Sequence, residues 1–468
     1  MLDLVRKTLN YAEKLSDYAE VRFENADVNK ITLKNGNVEA TEFGKRFGIS
    51  IRILKDGFLG FASTNNLEFS NLKKQVDRSL KIAKLSRNIL KKPVELSEEK
   101  SFKDNYSVGQ KIKLENISLE EKLDNIFEIE KALLSTKINL PIRFLDYSDS
   151  FREKIFMNSE GASIRASMPR ISFDYMITFM SGNSSVQRSF SYGGSGGWEI
   201  FQSWNLRQKL SDEAKSLSKI NNAQKLVQGK YDVILSPELV GIASHESCGH
   251  PYEADRILGR EAAQAGKSFV NEKMLGSKIG SDVVSVVDDP TVPNSYGFYL
   301  YDDEGVKAER RFLMKNGIIN SFLQNRETAA EMGMKSNASS RANEWFSEPI
   351  VRMANTFVLP GEFNFEELLE SVKKGVYIKS YMEWNIDDKR YNQKYTGLES
   401  YLIENGKITK LVKSPTLEIT TPAFWKSVDA VGKDLDFSAG SCGKSDPMQG
   451  IPVWFGGPHI RLRNITLV

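Results

Sequence analysis

The chain has 468 residues, 40% hydrophobic and 27% charged, with 64 Lys and Arg against 61 Asp and Glu and a formal net charge of +3. So balanced a charge argues against direct binding to nucleic acid or a membrane surface, and no apolar run reaches the roughly 18 residues of a spanning helix. Two cysteines provide no disulfide framework and fit a reducing, cytoplasmic compartment, while the length suffices for more than one core.

Leu2, Val5, Leu9, Ala12 and Leu15 recur at helical spacing among Arg6, Lys7, Glu13 and Lys14, which predicts an amphipathic first helix and not a signal peptide. Short apolar bursts at 19–24, 30–34, 47–54 and 57–63, separated by Asn-Gly and Asp-Gly, predict antiparallel strands. A helix follows near 66–86, with Leu72, Val76, Leu80 and Ala83 on one face. Residues 87–116 are rich in Lys, Glu, Ser and Asn and predict a surface excursion with solvated charges. Ser118 and Glu121 form a capping box that opens a helix to about 135, and strands near 142–148, 153–158, 162–167 and 171–180 extend the sheet or add a second. The run from Ser191 to Trp198 holds four glycines without the lysine of a phosphate loop and predicts a flexible loop, followed by a helix carrying Trp204, Leu206, Leu210 and Leu217.

The expected fold class is α+β, with a mixed antiparallel-sheet and helix domain over 1–225 and a β-rich domain over 226–468. A further boundary within 87–116 is possible on composition.

The chemistry concentrates in His245-Glu246-Ser247-Cys248-Gly249-His250, which holds two of the three histidines. Neutral imidazole is the commonest metal ligand, and a carboxylate beside it is placed to take a proton from water. Residues i and i+5 lie about 140° apart on a regular helix, too far for one ion, so a π-type turn is expected. Gly249 and Pro251 favour such an irregularity and end the helix there. Ser236-Pro237-Glu238 is its expected start, after a strand at 231–235, giving a helix of about fourteen residues. A catalytic zinc takes a third protein ligand, and Cys442, Cys248, His459, Glu253 and Asp255 are candidates. Cys442 lies between glycines beside Lys444, whose charge would favour thiolate, yet spacing alone makes it an ordinary buried cysteine. The acidic residues Asp288, Asp289, Asp302, Asp303 and Glu304 lack EF-hand spacing and predict turns and hydrogen bonds to arginine or histidine. Arg352 and Asn355 are candidates for orienting peptide carbonyls.

The segments HESCGHPYEAD at 245–255, VVDDPTVPNSYGFYLYDDEG at 286–305, VRMANTFVLPG at 351–361, SYLIENGKI at 400–408 and GSCGKSDPMQGIPV at 440–453 resemble the TldD branch of the TldD/PmbA metallopeptidases. Looser matches at 18–24, 35–53 and 57–64 extend the resemblance over the whole chain. It implies His245, His250 and Cys442 as ligands of one Zn²⁺, and Glu246 as the base that activates water. It also implies a peptidase acting on peptides and unfolded polypeptides inside an enclosed dimer, either a homodimer or a heterodimer with a TldE-like subunit. Residues 381–398 depart from the glycine-rich segment of the family. Two other functions share parts of this pattern: a metal-dependent amidase of deformylase type, and a regulatory protein with a structural metal.

Overall fold

Asn35-Gly36 and Asp56-Gly57 take positive φ at both residues (50° and 78°; 52° and 79°), the conformation of a two-residue hairpin turn. They join Tyr18–Lys34, Asn37–Lys55 and Phe58–Thr64 into an antiparallel meander. The computed structural model describes residues 1–468 except 90–91, 262–266 and 446–447. With Lys103–Ser107, Ile142–Asn158, Ser163–Ser181 and Ser184–Ser195, these strands make a seven-stranded sheet in which Lys103–Ser107 alone runs parallel to its neighbour.

The strands are longer than the apolar bursts predict. The bursts at 19–24 and 30–34 belong to one strand of 17 residues, because the polar stretch between them pairs on both sides, with 37–55 and with 142–158. The bursts at 142–148 and 153–158 fuse in the same way, as do those at 162–167 and 171–180. Leu2–Ala12 and Phe69–Ser86 pack Val5, Leu9, Leu72 and Val76 against Val21, Ile51 and Ile53. Leu119–Ser135, whose Ser118 side chain accepts the Glu121 N–H, and Leu206–Ile220 build a second core with Tyr147 and Phe173.

One expectation fails for a tertiary reason. Residues 191–195 are strand, not flexible loop: a Cβ at Gly193 would lie 2.8 Å from the Tyr296 ring, and the Gly193 carbonyl accepts from Trp454 Nε1 at 2.7 Å. The glycines there permit close packing. The excursion at 87–116, of which 90–91 lie outside the described residues, does lie on the surface with its charges mostly exposed, and it is anchored to the C-terminal half. Arg326 donates to the Ser97 carbonyl at 2.8 and 2.9 Å, and the Ser336 N–H to Glu99 at 2.7 Å.

The C-terminal half contributes a ten-stranded sheet, which includes Gly229–Leu235, Lys374–Ile378 and Ile460–Leu467, and a six-stranded sheet that ends in Asn355–Val358, Gln449–Gly457 and Asp436–Lys444. The helix Pro237–Ser244 leaves the buried strand Gly229–Leu235 and packs against the second sheet so closely that a Cβ at Gly241 would lie 2.8 Å from the Gly456 nitrogen. Val233, Leu239, Val286, Leu313, Phe424 and Trp425 belong to the core around it. Among the described residues no helix is long and apolar enough to cross a membrane.

Candidate metal centre

The α-helix Pro237–Ser244 passes directly into a π-helical turn over His245–Gly249 and a 3-10 turn over His250–Tyr252. The His250 N–H bonds the His245 carbonyl five residues back, which is the widened turn that the spacing demands. Pro237 occupies the first turn as expected, but Ser236 makes no side-chain cap and its hydroxyl is buried without a partner. The wide turn brings the two imidazole centroids to 4.9 Å, edge to face. Gly249 lets Met353 pack close, since a Cβ there would meet Met353 Sδ.

Cys442 arrives on the strand Asp436–Lys444, opposite Ile451 in the antiparallel pair with Gln449–Gly457. Its Sγ lies 3.5 Å from His250 Nε2, and one donor atom from each of His245, His250 and Cys442 falls within 4.8 Å of the other two. Tetrahedral zinc with N and S ligands at their usual bond lengths sets an N···S separation of about 3.6 Å, so the donor set fits that ion. All three residues are buried, and His245 Nδ1 has no hydrogen-bond partner.

The surrounding charges set the protonation states that a metal needs. The His250 Nδ1 atom sits 3.0 Å from Glu253 Oε2. Burial alone would raise the Glu253 pKa, but Lys444, His250 and Arg256 hold it well below the ordinary carboxylate value. An ionised carboxylate only accepts, so His250 carries a proton on Nδ1. Burial holds His245 below its ordinary pKa of 6.5, in the neutral ligand form. Burial also pushes the Cys442 thiol up, but His250 and the Arg352 guanidinium outweigh it and bring the thiol below its usual value. Lys444 is occupied elsewhere, with Asp255 at 2.7 Å and Glu253 at 3.5 Å.

Glu246 lines the same cavity of about 270 Å³ as the three donors, with Tyr381, Trp384, Arg390 and Phe455 among its other walls. Arg390 Nη1 donates to Glu246 Oε2 at 2.7 Å. The other third-ligand candidates are placed differently. Cys248 is buried in the core, with its thiol pKa raised by burial; His459 bonds Tyr377 and Asp434; Asp255 holds Lys444; Glu253 orients His250. Arg352, fully buried, donates to the carbonyls of Gln449 (2.8 Å) and Cys442. Asn355 is equally buried and bonds the Asp289 carbonyl and Ser295. Both therefore brace backbone and do not face a peptide. The acidic residues form turns and ion pairs: Asp288 with Arg311, Asp289 with Arg310 (2.8 Å), Asp303 with Lys154 (2.8 Å) and Glu304 with Arg52 (2.5 Å), while Asp302 accepts the N–H groups of Glu304 and Val306.

Three family sequence profiles match in order: the PmbA/TldA metallopeptidase domain 1 at residues 19–83, the central domain at 112–221 and the C-terminal domain at 228–468. A metalloprotease of Methanocaldococcus jannaschii is 35% identical over 448 residues, 96% of each chain. The chain belongs to the PmbA/TldD metallopeptidase family. A protein of Saccharolobus solfataricus named zinc metalloprotease TldD homolog is 26% identical over 98% of this chain and 99% of its own. The crystal structure of TldE from Thermococcus kodakarensis shares the PmbA/TldD fold, with a TM-score of 0.75 at 16% identity over 99% of this chain and all of that one.

This PmbA/TldD chain carries site residues that sequence reasoning passed over. Tyr381, Trp384 and Arg390 come from the hairpin Tyr381–Ile386 and Asn392–Gly397 and the turn that joins them. Arg390 has φ +64°, which an arginine adopts rarely. An exposed-looking Asp387-Asp388-Lys389-Arg390 turn gives no hint that one of its cations reaches the cavity.

Proposed function

We propose that this metallopeptidase is a zinc enzyme of the TldD type, in which His245, His250 and Cys442 hold the ion and Glu246 is the general base for hydrolysis of peptides and unfolded polypeptides. The observation that carries this reading is the convergence of three buried donors from a π-turn and a distant strand, beside a carboxylate that lines the same cavity. A structural zinc would normally collect four protein donors, whereas the described residues gather three.

Bound there, zinc would supply Lewis acidity and acidify its water. Glu246 accepts the proton of the attacking water and passes it to the leaving amine. Glu253 keeps the His250 ring in the ligating tautomer, and Arg352 fixes the Cys442 carbonyl so that the sulfur stays aimed at the histidines. Tyr381, Trp384 and Phe455 supply apolar wall that displaces water around a bound peptide. Arg390, ion-paired to Glu246, positions the carboxylate.

The same reading divides the chain into domains at 1–225 and 226–468 and encloses the cavity in a dimer, formed with a second copy or with a TldE-like subunit, in the cytoplasm. Likeness to the TldE fold supports the pairing, and sedimentation of the purified chain alone and with such a subunit distinguishes the two assemblies. The test of the chemistry is Glu246→Gln. Zinc content should persist while cleavage of peptides and unfolded casein falls by about 10²–10⁴-fold, and wild-type activity in this variant would overturn the assignment.

A further inference from the structure

A second group of charges lies where the N-terminal sheet meets the C-terminal half, and strand register builds it. Arg22 stands beside Phe156 and Phe156 beside Ile164; two residues along, Glu24, Lys154 and Ala166 align, and after them Ala26, Arg152 and Met168. Arg170 continues the last strand by two residues, so alternation places Arg22, Arg152, Lys154 and Arg170 on one face. The turn carrying Asp302 and Asp303 and the short strand Ser340–Arg341 cover that face and leave a cavity of about 60 Å³. It shares no lining residue with the cavity at the metal centre.

Most of these cations have internal partners. Lys154 reaches Asp303 at 2.8 Å, Arg152 reaches Glu24 at 2.8 Å, and Arg22 reaches Glu24 at 3.4 Å and Asp303 at 3.6 Å. Arg170 and Arg341 differ: among the described residues neither forms an ion pair with a carboxylate. Arg170 donates to the Phe298 carbonyl at 3.4 Å and leaves Nε buried without a partner. Arg341, 6% exposed, donates only to the carbonyls of Met353 and Pro452, at 2.6 and 3.0 Å. Burial, with repulsion from Arg152 and Arg341, lowers the Arg170 pKa to about 9. Burial and Glu304 push the Asp302 carboxyl well up. An enclosed cation without a counter-ion is costly, and an anion among the guanidiniums would reduce the excess of positive charge.

We propose that the cavity binds a small oxyanion between Arg170, Arg341 and Arg152, with the Tyr106 hydroxyl as a further donor. Guanidinium forks match the paired oxygens of phosphate or carboxylate. The volume equals the share of about two liquid waters, enough for one such group. Its two sources are free phosphate and the terminal carboxylate of a peptide.

Thermal denaturation of the zinc-loaded protein in chloride buffer of fixed ionic strength tests this, with additions of sodium phosphate, of a tripeptide, and of the same tripeptide as its C-terminal amide. Binding to the native state should raise Tm saturably. A response to phosphate assigns the free anion, and a response to the acid tripeptide but not its amide assigns a peptide terminus. Arg170→Gln should abolish the response and, without added anion, be at least as stable as wild type. A wild-type Tm indifferent to phosphate and to the acid tripeptide would overturn the proposal, as would an Arg170→Gln protein much less stable than wild type in anion-free buffer. Because a zinc ion also attracts anions, wild-type crystals soaked in selenate locate the site independently of any variant. An anomalous peak between Arg170 and Arg341 is expected, and a peak at the metal centre alone refutes the assignment.

Discussion

Glu253→Gln separates orientation of a proposed metal ligand from general stability. The carboxylate is fully buried and contacts His250 Nδ1 at 3.0 Å, Lys444 Nζ at 3.5 Å and Arg256 Nε at 3.6 Å. Glutamine keeps its volume and offers an amide oxygen to His250, but removes the charge. Loss of a carboxylate behind a ligating histidine typically weakens metal binding by about 10- to 100-fold, roughly 1.4–2.7 kcal/mol. Stripping a buried cation of its partner costs about 3–5 kcal/mol. Here each cation keeps a second carboxylate, Lys444 with Asp255 and Arg256 with Glu261, both at 2.7 Å. The fold should therefore lose nearer ~3 kcal/mol than the upper end of that range. Zinc competition against a chromogenic chelator measures the first effect, and urea denaturation of the metal-free protein the second. Asp255→Asn, which touches Lys444 without touching His250, is the control: it should lower stability with much less change in zinc affinity. Zinc affinity within twofold of wild type in Glu253→Gln would show that this carboxylate does not set the imidazole's orientation.

Cys442→Ser should keep the fold yet bind zinc far more weakly, with peptidase activity restored only by excess zinc; unchanged affinity by calorimetry would remove the sulfur from the ligand set. Gly249→Ala forces a methyl group against Met353 Sδ and should destabilise by about 1–3 kcal/mol, with much of the loss recovered on adding Met353→Ala; chemical denaturation of the single and double variants checks this coupling. Burial raises the Asp303 pKa, but Lys154 and Arg22 outweigh it and depress it below the ordinary 3.8. The contribution of that carboxylate is therefore present above about pH 4 and lost as pH falls through the folded value. The stability gap between wild type and Asp303→Asn should narrow on acidification below pH 4, as a urea-denaturation series would show, and a gap constant with pH would contradict the pairing.

Local chemistry was legible where it is local. The five-residue spacing of His245 and His250, with Gly249 and Pro251, is enough to require a widened turn, and Ser118 with Glu121 is enough to start a helix. Cys442 is different, because its approach to His250 depends on strand pairing far along the chain, and only the family resemblance singled it out. Arg390 left no trace, since a cation in a polar turn looks the same whether it faces solvent or a cavity. Register explains the other gaps. Arg22, Arg152 and Lys154 look like surface charges until neighbouring strands place them on a covered face, and the polar stretches that seem to end strands at 25–29 and 149–152 are held in the ladder by partners on both sides. The glycines at 193–197 suggest flexibility until Tyr296 and Trp454 are packed against Gly193.

His250 and Cys442 are 192 positions apart in sequence. An ion gripping both would act as a reversible tie across most of the C-terminal half, and chain-entropy reasoning for a cross-link of that span gives about 5 kcal/mol. Chelation would then do more than disarm the molecule. It would slacken the intervening polypeptide and bring the protein nearer to the unfolded chains that the proposed activity would cleave, so that metal supply would govern the lifetime of the enzyme as well as its activity.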